Sequence, residues 1–236
     1  MSKEPENLRK DLQPFPFHSE DNNINKHSRE GISCLEVKTS PPSFDDMVQL
    51  IYDDHSKVNY AKHNASFKRG EHGTTCYYDF NLFQEERYRP LMMHIMQNVY
   101  ECYRNFVPNV QFRPLQSWWT VYEKGAYIPR HTHYNSMISG AYYLRHPEGS
   151  GGISFYNPIA PLINHLWCDS LIFQIDPRME VQPYTGALLL FPGWLEHETF
   201  AKETDEDKIV VSFNLQIKDP GPPKPMGRRE RKGIGT

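Results

Sequence analysis

Cysteine is scarce in this chain and long apolar runs are missing. The four cysteines, Cys34, Cys76, Cys102 and Cys168, stand far apart, which excludes both a zinc-finger spacing and a dense disulfide framework. A reducing cytoplasm is the simplest setting for such scattered thiols. The longest apolar run, Ala187-Leu-Leu-Leu-Phe191, is far short of the roughly 20 residues that a membrane span needs. The opening MSKEPENLRK has no apolar stretch of the kind a secretory signal carries. No internal repeat is visible.

Hydrophobic residues make up only 38% of the 236, so aromatics, at 13%, must supply much of any core. With 4 Trp, 14 Tyr and 13 Phe the chain is too aromatic for full disorder. Its 19 Pro and 14 Gly imply many turns, and therefore short strands rather than long helices. Charge of one sign is also lacking: 26 Lys and Arg against 29 Asp and Glu give −3. Six basic and two acidic residues from Lys218 onward leave the first 217 residues at −7, a body too acidic for a nucleic-acid groove.

Residues 1–30 read as a flexible arm, 31–217 as one domain and 218–236, rich in Pro, Gly and Arg, as a flexible basic tail. Within the domain, Gly31–Val37 suits a strand. Phe44, Met47, Val48 and Ile51 share a helical face, with Ser43 placed as its cap. A second helix is expected over 85–106, where Met92, Met96, Val99, Tyr103 and Phe106 recur at three and four residues. After Pro108 short runs alternate with turn residues. Eight strands are expected: Ser117–Tyr122, Tyr127–His133, Met137–Leu144, Gly152–Tyr156, Ser170–Ile175, Met179–Gln182, Ala187–Phe191 and Lys208–Ile217. Gly149–Gly152 reads as a turn between strands. The fold class is mainly β with flanking helices, a jelly roll with the N-terminal helices packed on one sheet.

Two motifs carry chemistry. His131 and His133 are two residues apart, so on a strand both imidazoles face one side and can reach one metal ion. His197 follows an apolar strand and a Pro-Gly turn, 64 residues after His133. Two ligands on one strand and a third beyond a distant one make a facial mononuclear site with open positions. The last strand alternates strictly: Ile209, Val211, Phe213, Leu215 and Ile217 on one side, Lys208, Val210, Ser212, Asn214 and Gln216 on the other. The polar side either meets water or lines a cavity in which Lys208 and Ser212 hold a carboxylate. Arg130 is a rival anchor, but alternation turns it away from His131 and His133.

The runs GAYIPRHTHYNSMISGAYYLR, GGISFYNP, GALLLFPGWLEHE and KIVVSFNLQI, in that order from Ser117 to Ile217, resemble the iron(II)/2-oxoglutarate oxygenases common in bacteriophages and marine bacteria. The resemblance implies a double-stranded β-helix, Fe(II), 2-oxoglutarate as cosubstrate, and O₂. It implies metal ligands at His131, His133 and His197, and a cosubstrate site built from Lys208, Ser212, Tyr143 and Asn214. Trp118, Tyr122, Asn135 and Trp194 are candidates for the substrate pocket. Two positions depart from the family pattern: His133 stands where a carboxylate is usual, so the site is three-histidine or recruits water or Asn135. Lys208 replaces the usual anchoring arginine, keeping the charge and giving up the bidentate fork. Two alternatives remain, a three-histidine cupin-type dioxygenase without 2-oxoglutarate and a non-catalytic jelly roll of a virion or scaffold. The substrate is not legible.

Overall fold

The computed structural model describes residues 24–29, 32–39, 44–58, 73–104, 109–166 and 176–218. The elements run β1 (Ile24–Arg29), β2 (Ile32–Lys38), α1 (Phe44–His55), β3 (Thr74–Thr75), α2 (Arg89–Arg104), β4 (Phe112–Tyr122), β5 (Ile138–Arg145), β6 (Ile153–Tyr156), α3 (Ala160–Leu166), β7 (Arg178–Val181), β8 (Ala187–Pro192), β9 (His197–Thr199) and β10 (Lys208–Ile217). Every strand pair is antiparallel. Seven strands form one sheet in the order β1-β2-β8-β5-β10-β4-β3, and three form a second, β7-β6-β9.

Strict alternation along β10 divides the core in two. Ile209, Val211, Phe213 and Leu215 join the cluster on the helical side of the large sheet, with Ile51 of α1 and Leu91, Met92, Ile95, Met96 and Val99 of α2. Burying each of these side chains contributes about 1.5–3 kcal/mol. The opposite face of the large sheet packs on the small one: Tyr122, Ala141, Tyr143, Leu189 and Val210 meet Ile153, Phe155, Met179 and Val181. The even face of β10 therefore looks into the space between the sheets. Lys208 and Asn214 there are 1% and 9% exposed, so the water-facing alternative fails for both.

Several sequence expectations change in detail. Tyr127–His133 does not form a ladder strand; it is irregular, with a single bridge from His131 to His197. Pro129 has no N–H to donate, which interrupts pairing. Two 3-10 turns, Leu82–Gln84 and Glu86–Tyr88, precede α2, so the helix starts at Arg89 rather than Glu85. Ile24–Arg29, assigned to the loose arm, pair along their whole length with β2. The strand expected at 170–175 lies outside the described residues, as do residues 1–23 and 219–236. The short elements α3 and β9 carry too few residues to show a period.

A buried polar knot holds α1 to the segment leading into α2. Asp54, 3% exposed, accepts from the Arg87 guanidinium at 2.6 Å and the Tyr88 hydroxyl at 2.8 Å.

Candidate metal centre

Backbone hydrogen bonds assemble the three histidines from two distant segments. The His131 N–H donates to the His197 carbonyl, and the His197 N–H donates to the His131 carbonyl, both at 3.0 Å. The His133 N–H donates to the Gly193 carbonyl at 2.9 Å, and the Gly193 N–H to the Met137 carbonyl at 3.2 Å. Gly193 is required by this close packing, because a Cβ there would stand 2.3 Å from the Ser136 carbonyl oxygen.

One ligand atom from each of His131, His133 and His197 lies within 4.8 Å of the others. The rings of His133 and His197 are nearly parallel, 4° apart, with Nε2 atoms at 3.3 Å. Two tautomers follow from geometry. The Nδ1 of His131 sits 2.7 Å from the Pro129 carbonyl oxygen, and that of His197 sits 2.8 Å from the Leu195 carbonyl oxygen. A ring nitrogen that close to a carbonyl carries the proton, which leaves each Nε2 lone pair free for a metal.

Electrostatics keeps the rings neutral. Burial pushes the His197 pKa down to about 3, with the neighbouring His131 and His133 adding to it. Burial and then His131 push His133 down to about 4, against a hydrogen bond from the Asn214 side chain. Burial lowers His131 as well. Phe191 and Phe155 pack on His197 at 4.7 and 6.0 Å, an apolar backing that disfavours charge and shields the site. Three neutral imidazoles aimed at one point suit a borderline divalent ion such as Fe(II). Among the described residues no carboxylate or thiol joins the cluster.

At the other end of β10, Lys208 donates its ammonium to the Ser150 carbonyl at 3.0 Å and lies 4.3 Å over the Tyr122 ring. Burial, then Lys202, lowers its pKa to about 8. No carboxylate pairs with it among the described residues, and the Ser150 hydroxyl, equally buried, has no partner. Tyr143 stands across β10 from Val210, buried and packed edge-on to His146 at 5.3 Å. A buried cation with no carboxylate partner among the described residues, beside a hydroxyl with no hydrogen-bond partner, fits a ligand carboxylate. Ser150 was hidden in the sequence because GSGG reads only as a turn.

The other sequence candidates scatter. Ser212 is half-buried on β10, between Ala141 and Trp118. Asn214 lies at the metal end, where its Oδ1 accepts from the Ser139 hydroxyl at 2.9 Å and its side chain reaches His133, not Lys208. Tyr122 sits at the lysine end rather than beside the metal. Trp118 stacks on His133 with centroids 5.8 Å apart. Trp194 is 58% exposed in the turn before His197. Asn135 is an exposed turn residue at φ 61°, its carbonyl held by Gln216. Arg130 faces outward, paired with Glu196 and 3.9 Å over the Tyr156 ring.

An antiparallel double sheet with a histidine cluster that could hold a metal ion between its layers defines a double-stranded β-helix fold. Residues 116–214, from β4 to β10, match the model of the family described as "Putative 2OG-Fe(II) oxygenase". Among solved structures the chain is similar to the non-heme alpha-ketoglutarate-dependent carbocyclase SnoK from nogalamycin biosynthesis, at 11% identity and TM-score 0.52 over 77% of this chain and 78% of that one. It is also similar to the epimerase SnoN from the same biosynthesis, at 14% identity and TM-score 0.50 over 77% of each chain. Both likenesses bear on the fold. No curated protein sequence matches the chain. Among the described residues no helix is long and apolar enough to cross a membrane.

Proposed function

We propose that His131, His133 and His197 hold Fe(II), and that Lys208, with Ser150 and Tyr143 around it, anchors the far carboxylate of 2-oxoglutarate. The reaction is the oxidation of an organic substrate, R–H + 2-oxoglutarate + O₂ giving R–OH + succinate + CO₂. When bound, iron and cosubstrate supply the oxidative chemistry. The chain's own residues supply the rest. Nδ1 donation to Pro129 and Leu195 keeps two Nε2 lone pairs inward, and Phe155 and Phe191 exclude water behind His197.

The observation that carries this reading is the buried ammonium of Lys208, with no carboxylate partner among the described residues, on the same strand face as the triad's neighbour Asn214. Leaving a cation buried against one carbonyl is costly unless an anion arrives. The buried thiols Cys34, Cys76 and Cys102 are free, which supports a reducing, cytoplasmic setting.

That no carboxylate among the described residues joins the histidine cluster favours one rival, a three-histidine dioxygenase that does not use 2-oxoglutarate. Anaerobic titration with Fe(II) and then 2-oxoglutarate separates the two. A visible absorption band that needs both components, with succinate released on admitting O₂, is the expected outcome. Iron binding without the band or succinate supports the rival, and no iron binding removes both.

A further inference from the structure

The three histidines are not held alike. His131 and His197 are locked twice, by reciprocal backbone hydrogen bonds and by ring Nδ1 donation to the carbonyl two residues earlier in each case. The His133 ring has no such carbonyl among the described residues; its Nε2 lies 3.3 Å from His197 Nε2, and the Asn214 side chain reaches it. What fixes it is packing. Its imidazole stacks on the Trp118 ring, with centroids 5.8 Å apart at 22°, and meets the nearly parallel His197 ring edge to edge, with the two Nε2 atoms 3.3 Å apart. Trp118 is itself braced by the Tyr77 ring, edge-on at 4.9 Å.

Asn214 is next to this arrangement. It occupies the interior face of β10, 9% exposed, opposite Ser139 of β5. The Ser139 hydroxyl donates to its Oδ1 at 2.9 Å, and the Ser136 hydroxyl lies 3.1 Å from that of Ser139. The chain Ser136–Ser139–Asn214 ends at the loop that carries His133. A carbonyl oxygen oriented in this way can take the place that backbone carbonyls fill for the other two rings.

We propose that Trp118 and Asn214 are positioning residues for His133, so that the site consists of a rigid His131–His197 pair and a third arm set by side-chain packing. The proposal rests on the reading of the three histidines as metal ligands. Trp118, a substrate-pocket candidate on sequence grounds, thereby serves the metal site from behind His133.

The test is titration of the apoprotein with Co(II) and Ni(II), followed by the Co(II) visible spectrum and by thermal unfolding of the apo form. Trp118→Leu and Asn214→Ala are each expected to weaken metal binding by about 10- to 100-fold and to alter the Co(II) spectrum. Trp118→Phe and Asn214→Asp, which retain a flat ring and a carbonyl-type acceptor, are expected to restore most of the affinity. The ratio of variant to wild-type affinity is read only from variants whose apo form unfolds cooperatively. Unchanged affinity and spectrum in both Trp118→Leu and Asn214→Ala would overturn the proposal, as would equal loss in the conservative variants. A wild-type protein that binds neither metal would instead overturn the metal-site reading itself.

Discussion

His131 and His197, 66 residues apart in sequence, hydrogen-bond to each other's backbone in both directions at 3.0 Å, and their rings stand 4.3 Å apart. This isolated bridge joins the irregular segment around His131 to β9, so the two histidines position one another. His197→Ala should abolish tight Fe(II) binding, and the thermal stabilisation that Fe(II) or Ni(II) gives the wild-type protein should vanish with it. Metal titration with and without the substitution checks this; a variant that binds iron as tightly as wild type removes His197 from the ligand set.

Cosubstrate affinity should depend on the charge of Lys208. Its folded-state pKa of about 8 lies below the ordinary 10.5, so the free protein loses this charge as pH rises through about 8. Affinity of the Ni(II)-loaded protein for 2-oxoglutarate should therefore be full below that point and fall as pH climbs above it. The linked stability effect has the opposite slope: between about 8 and 10.5 the unfolded chain holds a proton that the folded one has released, so apo stability rises across that window. Calorimetry across this range should show the affinity loss in wild type, and a weak, flat profile in Lys208→Ala. A flat profile in wild type argues against Lys208 as the anchor.

Gly140 faces Phe213 across the β5–β10 pair, and a Cβ at Gly140 would stand 2.1 Å from the end of the phenyl ring. Phe213 is fully buried and cannot retreat. Gly140→Ala should destabilise the fold by about 1–3 kcal/mol, the usual cost of overpacking. Combining it with Phe213→Leu should cost less than the sum of the two single changes. Urea unfolding of the four proteins measures the coupling.

Asp54→Ala should lower stability by about 1–3 kcal/mol, because it strands the fully buried Tyr88 hydroxyl and releases Arg87. Metal affinity should not change, since the knot lies on the helical side of the large sheet while the histidines lie on the other. Denaturation together with metal titration reads both.

Much of this architecture was legible in one dimension because β periodicity is local. The alternation from Lys208 to Ile217 matches β10 from end to end and sorts its residues correctly between the two faces. The spacing of Met92, Met96 and Val99 likewise marks the buried stripe of α2. The H-x-H pair was found for a reason that holds only in part. Its residues converge on His197 without lying on a regular strand, since Pro129 interrupts the pairing and the bridge to His197 does the aligning.

The sequence by itself determined which side chains are available for chemistry and which face of the last strand is apolar, because side-chain type and a period of two are written along the chain. Only the tertiary structure decided what those polar groups meet. Asn214 went to His133 rather than to Lys208, Tyr122 to the ammonium rather than to the metal, and Trp118 to the back of a histidine. Ser150, unremarkable in a glycine-rich turn, became a residue with a buried hydroxyl, and its carbonyl accepts from the Lys208 ammonium. These outcomes depend on strand register and on loops closing over the space between the sheets, and long-range pairing of that kind leaves no periodic trace in the sequence.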